Sequence, residues 1–427
     1  MRDLLLRLLR LDDATADERR GATWTAVAFF FVLFAYYLLR PLRENVGYAF
    51  GTERLIGLYA LTFVLTTLLN QPYMMLVRRF PSHRFLPYAL HGFAGSFLAL
   101  AAWFSTGSPT LGALDFGDLR GCSYGLFYSW VTAFSVCGVT LVWVHAVEWF
   151  SLAQGKRLFA LVSVGGSLGA VLGSSLSKQL AGFSYSTLCL LAAVGIELGV
   201  LAWWRSLQAC RSMRSRAAPF ASNELGFVDG LVRVARDPYL RSIALFVLIA
   251  AVIATCFYYM RLNVLAGLGE AAVRAVEADI NFWQNLLCIV LQLFATSRAL
   301  AALGVAVVLC VMPLASLCGF VAIGIWPVVA VVQVVEILRR MLQFAFDKPA
   351  RELLYTPLDA EQKYVSKAIV DTAVMRSGDL IGAMLNNLQV WVRVGPVAAF
   401  ATALPLLASW LLLGRWLGRQ CTRRASS

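Results

Sequence analysis

Tyr36-Tyr37-Leu38-Leu39-Arg40-Pro41-Leu42-Arg43-Glu44 closes the first long apolar stretch of the chain and sets three charged side chains where a lipid-facing helix could not keep them. A charge at the bilayer centre costs about 2.5–3.5 kcal/mol on insertion scales, so such a residue turns toward a water-filled cavity or a partner. At about 100° per residue, Tyr36, Arg40, Arg43, Glu44 and Gly47 fall within about a third of the helix circumference. Pro41 removes a backbone donor and frees carbonyls to meet water or ligand. The three charges either neutralise one another as an internal cluster or line a substrate path.

The rest of the chain is a membrane protein's. Of its 427 residues, 59% are hydrophobic and 14% charged, with a mean hydropathy of +0.71. Apolar runs of roughly 20 residues, the length needed to cross a bilayer, lie near 24–48, 54–77, 85–105, 122–149, 157–178, 184–204, 242–264, 279–297, 299–318, 320–345, 366–392 and 395–414. The expected fold is an all-α polytopic membrane protein of about twelve transmembrane helices, with both termini on one side. Basic residues resist translocation. Threading the chain with its N-terminus inside leaves only Arg54, Arg120, Lys178, Arg274 and Arg393 in outer segments, so both termini are expected in the cytoplasm. The net charge of +13 is then mostly a topology signal, and no nucleic-acid partner is expected. Residues 1–23 form an expected N-terminal interfacial segment, without the small-residue cleavage site of a signal peptide.

Nine cysteines lie mostly inside apolar runs and make no C-x-x-C or Cys/His metal spacing. His83, His91 and His145 are too scattered for a metal site, and neither H-E-x-x-H nor G-x-S-x-G occurs. No cofactor, metal or enzymatic activity is expected. The bilayer and an anionic solute are the expected partners, and the oligomeric state is open, a monomer being compatible with the sequence.

The longest polar interruption, 205–241, reads as a basic cytoplasmic linker between an N-terminal six-helix bundle, 24–204, and a C-terminal one, 242–414, followed by a tail, 415–427. Transporters built this way carry internal repeats and hold substrate near the midplane between them. Two echoes fit. Tyr36, Tyr37 and Arg40 of the first span correspond to Tyr258, Tyr259 and Arg261 of the seventh. Gly165-Gly166-Ser167-Leu168-Gly169-Ala170 of the fifth corresponds to Ser377-Gly378-Asp379-Leu380-Ile381-Gly382-Ala383 of the eleventh. The stripe Gly166, Gly169, Ala170, Gly173 and Ser177 suits close helix contact.

Other spans carry polar faces. Thr372, Arg376, Asp379, Gly382 and Asn386 share a face of the eleventh, with Asp371 and Lys367 toward the cytoplasm; cavity lining and mutual neutralisation both fit. Glu336, Arg340, Gln343 and Asp347 line the tenth, where a gating salt bridge is the simpler account. His145 and Glu148, three apart in the fourth, could couple protons or only hold each other.

A family resemblance then becomes visible. Phe346-Asp347-Lys348-Pro349-Ala350-Arg351-Glu352-Leu353-Leu354-Tyr355-Thr356-Pro357-Leu358-Asp359, continuing through Lys363, Lys367-Ala368-Ile369-Val370-Asp371 to Ser377-Gly378, resembles the hallmark region of the ATP/ADP antiporters, nucleotide transporters related in fold to the major facilitator superfamily. Leu39-Arg40-Pro41-Leu42-Arg43-Glu44 is similar to that family's L-R-D-x-K-D, and Gln154-Gly155-Lys156-Arg157-Leu158-Phe159 resembles bacterial relatives. Arg43 and Glu44 stand where the family has Lys and Asp, Pro41 replaces an acid, and Lys348 is inserted before Pro349. An Arg fork engages phosphate oxygens in pairs where Lys acts as a point charge.

The resemblance implies a major-facilitator-like secondary transporter of the bacterial inner membrane. It would exchange nucleotides, or another organic anion, by alternating access. Tyr36, Tyr37, Arg40, Arg43, Glu44, Tyr258, Tyr259, Arg261, Arg376, Asp379 and Asn386 are its candidate binding residues. His145, Glu148, Glu336, Arg340, Asp347, Lys367 and Asp371 are candidates for coupling or gating. A proton-coupled carrier of an unrelated solute and a non-transporting interaction protein on the same fold are the alternatives.

Overall fold

The computed structural model describes residues 15–79, 82–106, 112–149, 152–210, 227–355, 357–358, 366–367, 369–392 and 396–426, and among these every long element is a helix. The first, Ala16–Arg79, starts in a reciprocal cap: the Glu18 amide donates to Thr15 Oγ1 at 3.2 Å and the Thr15 amide to Glu18 Oε2 at 2.9 Å. It therefore begins before the apolar run at residue 24, its first turn carrying charge instead of hydropathy. Residues 1–14 of the expected interfacial segment lie outside the described residues. Gly51, at φ 70° and ψ 173°, breaks the rod into two arms, α1 (16–50) and α2 (52–79).

The chain continues through α3 (Ser82–Ser105), α4 (Leu119–Trp149), α5 (Leu152–Gln179) and α6 (Tyr185–Cys210). A short amphipathic helix, α7 (Phe227–Arg236), lies in the region expected as linker, and α8 (Pro238–Leu265) follows it. Asp237 caps α8 by accepting from the amides of Tyr239 and Leu240 at 2.7 and 3.2 Å, with Pro238 in the first turn.

The next three helices are divided differently from the expectation of 279–297, 299–318 and 320–345. They are α9 (Glu270–Phe294), α10 (Thr296–Ile325, broken at Gly304 with φ 73°), and α11. The last comprises Val329–Leu342, a π turn at Gln343–Asp347, and Lys348–Leu353. Hydropathy alone put Glu270, Arg274 and Glu277 outside the bilayer run. They belong to α9, whose inward face is polar. After residues 366–369, α12 runs through a π turn at Val370–Val374 into Met375–Trp391, and α13 spans Pro396–Ser426.

Ala16–Leu69, Leu119–Trp143, Tyr185–Ala209, Pro238–Leu265 and Ala302–Ile325 are long and apolar enough, by length and composition, to cross a membrane. α9 falls short because its charged inward face lowers its hydropathy, and the Val329–Leu342 stretch of α11 because it is only 14 residues long. Two apolar cores form. One draws on residues 28–207 with Tyr258, Tyr259, Leu262 and Ala383, and the other on residues 234–421.

The glycine stripes explain how the helices come together. On α5, Gly165, Gly169 and Gly173 lie on the α1 backbone at Ala26, Phe30 and Phe34, where a Cβ would strike the facing carbonyl oxygens. On α12, Gly378 and Gly382 lie on α8, where a Cβ would come within 2.7 Å of the Leu248 carbonyl and 3.0 Å of the Val252 carbonyl. The four-residue step recurs in both pairs, so the fifth span packs on the first as the eleventh packs on the seventh. Ser177, at the end of the first stripe, donates to the Leu38 carbonyl at 3.0 Å.

Candidate functional site

Where α1, α8, α9 and α11 converge, their polar stripes meet around Arg261, whose side chain is 1% exposed. Its Nε lies 2.9 Å from Glu277 Oε1 on α9, its Nη1 3.1 Å from Glu336 Oε2 on α11, and its Nη2 3.6 Å from Glu44 Oε2 on α1. The Tyr48 hydroxyl of α1 donates to Glu277 Oε1 at 2.9 Å and accepts from Arg261 Nε at 3.2 Å. Around Glu336 gather two more guanidinium groups. Arg340 Nε donates at 2.8 Å and Arg339 Nη2 at 3.2 Å, while Arg340 Nη1 donates to Asn281 Oδ1 at 3.2 Å.

The α1 arginines complete the cluster. Arg43 Nη1 donates to Glu44 Oε1 at 3.0 Å and Nη2 to the Tyr128 hydroxyl at 2.9 Å, its guanidinium lying 4.3 Å from the Tyr128 ring centroid. Arg40 is held less tightly. Its Nε is 4.0 Å from Glu44 Oε1, and its guanidinium stands 5.3 and 5.9 Å from the Tyr37 and Tyr36 rings. Arg261 stands 4.9 Å from the Tyr258 ring, so the tyrosine–arginine echo of the two halves survives as a pair of cation–π contacts. Tyr259 is buried beside it in the apolar core.

Charge does not balance in this cluster. Arg40, Arg43, Arg261, Arg339 and Arg340 face Glu44, Glu277 and Glu336, which leaves two positive charges in excess. Arg40 Nε, Arg43 Nε, Asn281 Nδ2 and Gln284 Oε1 are buried without a hydrogen-bond partner. Uncompensated charge of this kind is costly in a low-dielectric interior and invites an anion. Arg40 and Arg43, at 12% and 14%, are its most exposed guanidinium groups.

Other sequence candidates lie elsewhere. Arg376 Nη1 donates to Asp379 Oδ2 at 2.8 Å on α12, beside a cavity of about 20 Å³. Thr66, Ala133, Val136, Cys137, Asp371 and Thr372 line that cavity with Arg376. The space suits a water molecule, and the ion pair neutralises itself. Asn386 is half-buried farther along α12, and its neighbour Asn387 reaches the Glu53 carbonyl at 3.4 Å. Toward the other end, Asp347 Oδ2 lies 2.9 Å from Arg351 Nε, and Lys367 pairs with Glu352. Both clusters adjoin the π turns of α11 and α12, insertions often found at functional positions. His145 bonds Ser206 Oγ at 3.0 Å and lies 4.0 Å from the Trp203 ring at a tilt of 43°, in a hydroxyl network with Thr25, and not among the arginines. The Glu148 side chain lies outside the described residues.

Tyr48, Tyr128, Glu277, Asn281, Gln284 and Arg339 joined the site without being singled out in the sequence. Glu277, Asn281 and Gln284 are spaced i, i+4, i+7, the signal of one helix face. Hydropathy starts this span at residue 279, which cuts the stripe.

Several contacts among the described residues join the halves toward the Gly51 end. Besides Glu44–Arg261 and Tyr48–Glu277, Lys178 Nζ of α5 lies 2.6 Å from Asp279 Oδ1 of α9, Arg274 Nη1 donates to the Phe183 carbonyl at 2.9 Å, and the Gly112 amide donates to Glu270 Oε1 at 3.2 Å. Among the described residues, the ion pairs between halves are of this set.

Comparison with known proteins agrees with the resemblance. Residues 290–420 match the family model described as TLC ATP/ADP transporter. An ADP,ATP carrier protein 1 of Chlamydia pneumoniae is 21% identical over 350 residues, covering 69% of this chain and 66% of that protein, just under two thirds of its length. Among solved structures, a POT family transporter crystallised with 5-aminolevulinic acid superposes with a TM-score of 0.63 at 12% identity, covering 94% of this chain and 97% of that one. The nucleoside transporter NupG gives 0.60 at 11%, covering 93% and 98%. A bacterial homologue of the lysosomal transporter Spinster, inward-facing and unoccupied, gives 0.56 at 11%, covering 96% and 98%. These likenesses establish the fold, a polytopic all-helical one that the chain shares with those membrane proteins.

Proposed function

We propose that this chain, whose residues 290–420 match the TLC ATP/ADP transporter family model, belongs to that family and is a secondary carrier that exchanges organic anions, nucleotides of the ADP and ATP kind, by alternating access. The observation that carries this reading is the excess of two positive charges among Arg40, Arg43, Arg261, Arg339 and Arg340. A nucleoside di- or triphosphate supplies more than enough negative charge to offset it. Arg40 and Arg43, the most exposed guanidinium groups, would take the phosphates, and Tyr36 and Tyr37 offer aromatic faces to a base.

The moving bodies are the halves 24–204 and 242–414, joined by 205–241. With both termini in the cytoplasm of a bacterial inner membrane, the Gly51 end faces outward, and Lys178–Asp279, Tyr48–Glu277 and Glu44–Arg261 close it. Opening that end separates Glu44 from Arg261 and divides the cluster into Arg40, Arg43 and Glu44 on one half and Arg261, Arg339, Arg340, Glu277 and Glu336 on the other, each keeping one uncompensated positive charge, so the bound anion has to travel with it. An empty carrier would have to reorient with unpaired buried guanidinium groups, which is why exchange is favoured over net flux. Asp347–Arg351 and Lys367–Glu352, at the other end, lie within the half 242–414 and are suited to brace its side of an inner gate.

The test is counterflow. Proteoliposomes preloaded with ADP should take up labelled ATP many times faster than empty vesicles. Equal rates would reject exchange, and absence of uptake of any nucleotide would reject the substrate class.

A further inference from the structure

One titratable pair in the membrane-spanning region lies half exposed on the outside of the helices that carry it. His91 of α3 and Glu197 of α6 lie 2.9 Å apart, Nδ1 to Oε1, with side chains 47% and 45% exposed. His91 sits about 14 Å along α3 and Glu197 about 18 Å along α6, each near mid-length of a helix about 36–39 Å long at about 1.5 Å per residue. Both are too deep for lipid headgroups. The pair is also remote from the arginine cluster, since α3 packs chiefly on α6 and secondarily on α4. Hydrocarbon cannot hydrogen-bond the second carboxylate oxygen or the second imidazole nitrogen, and ionisable residues at this depth are found facing protein or water.

The surface around the pair has the composition of a helix–helix contact. Gly92, Gly95 and Ala99 are exposed on the same side of α3 as His91, flanked by exposed Leu98 and Trp103 and by Val194 and Leu201 of α6. A Cβ at Gly92 or Gly95 would meet nothing within 4 Å, whereas the glycines of α5 are pressed against the α1 backbone. Nothing inside the chain asks for glycine at 92 or 95. A Gly95-x-x-x-Ala99 spacing on an exposed membrane face allows two helix backbones to approach closely.

We propose that this face joins two copies of the chain, α3 and α6 of one against α3 and α6 of the other. Its hydrogen-bonding pattern argues for a second copy over an unrelated partner: the patch carries an imidazole and a carboxylate side by side and is its own complement. Under a two-fold axis the order reverses, so His91 of each copy faces Glu197 of the other and the four groups close into one hydrogen-bonded ring. The small residues beside them let the helices come near enough for that ring to form.

The test counts subunits in bilayers. Fluorescently labelled protein is reconstituted in phosphatidylcholine–phosphatidylglycerol vesicles across a range of lipid dilution and scored by single-molecule photobleaching. The wild-type chain should bleach in two steps and dissociate on dilution. Gly95→Leu, which meets open space within its own chain, should raise the dissociation constant at least tenfold. The His91→Leu/Glu197→Leu double variant should do the same, with nucleotide exchange per subunit unchanged in both. Single-step bleaching of the wild-type chain at every dilution would overturn the proposal. So would dimers that neither variant weakens.

Discussion

Arg40→Gln separates the two tasks assigned to the arginine cluster. Arg40 is the guanidinium least tied to protein, its Nε 4.0 Å from Glu44 Oε1 and without a hydrogen-bond partner. Losing it therefore removes little from the fold and much from an anion. A hydrogen bond to a charged group contributes about 1.5–3 kcal/mol, so nucleotide Kd should rise by about 10- to 150-fold. The second effect has the opposite sign. An uncompensated buried charge costs about 3–5 kcal/mol, and at 12% exposure we take the lower end for Arg40. Relieving about 3 kcal/mol from the empty transition should speed it by about two orders of magnitude. In proteoliposomes at saturating nucleotide, the ratio of exchange to net efflux should fall toward unity. Arg40→Lys keeps the charge without the fork, so it should weaken binding yet preserve the ratio. A Kd within threefold of wild type together with an unaltered ratio for Arg40→Gln would refute the reasoning.

Three further outcomes follow from the packing and the gate. Lys178→Glu turns an attractive pair with Asp279 into a repulsive one; the pair is half exposed, so a shift of about 1 kcal/mol toward opening of the Gly51 end is expected, read by inter-half distance labels. The Lys178→Asp/Asp279→Lys exchange should restore the wild-type distribution. Gly169→Leu forces a side chain onto the Phe30 carbonyl and should cost more than the about 1–3 kcal/mol of ordinary overpacking, seen as loss of folded protein in a thermal melt. Gly51→Ala, where nothing lies within 4 Å but φ is 70° and ψ 173°, a region kept essentially to glycine, should cost only the backbone term of about 1–3 kcal/mol, a fall in Tm.

The fold was legible because lipid imposes a long apolar period that few soluble chains imitate, and because the glycine stripes at 165–173 and 378–382 have no use except close packing. The α1 stripe was legible for the same reason: Arg40, Arg43 and Glu44 are unaffordable on a lipid face. What escaped the sequence was where stripes from different helices meet. Arg376–Asp379 and Arg261 look alike in sequence, yet the first neutralises itself on one helix while the second holds carboxylates from three. Glu277 was hidden by the criterion that found the spans, since a buried charge lowers the hydropathy of the helix that carries it. The π turns at Gln343–Asp347 and Val370–Val374 shift the register of α11 and α12 by backbone hydrogen bonding, which side-chain periodicity does not record.

The central claim is that the arginine cluster holds a negatively charged guest, and ligand-dependent unfolding of the purified protein measures that directly. A ligand that binds only the folded state adds about 2.7 kcal/mol at 100 times its Kd, enough to move Tm by several degrees. ATP and ADP should raise Tm in the wild-type chain, adenosine at the same concentration should not, and Arg40→Gln should shift the ATP titration to higher concentration. Equal stabilisation by adenosine and ATP, or none by any phosphorylated compound, would contradict the account.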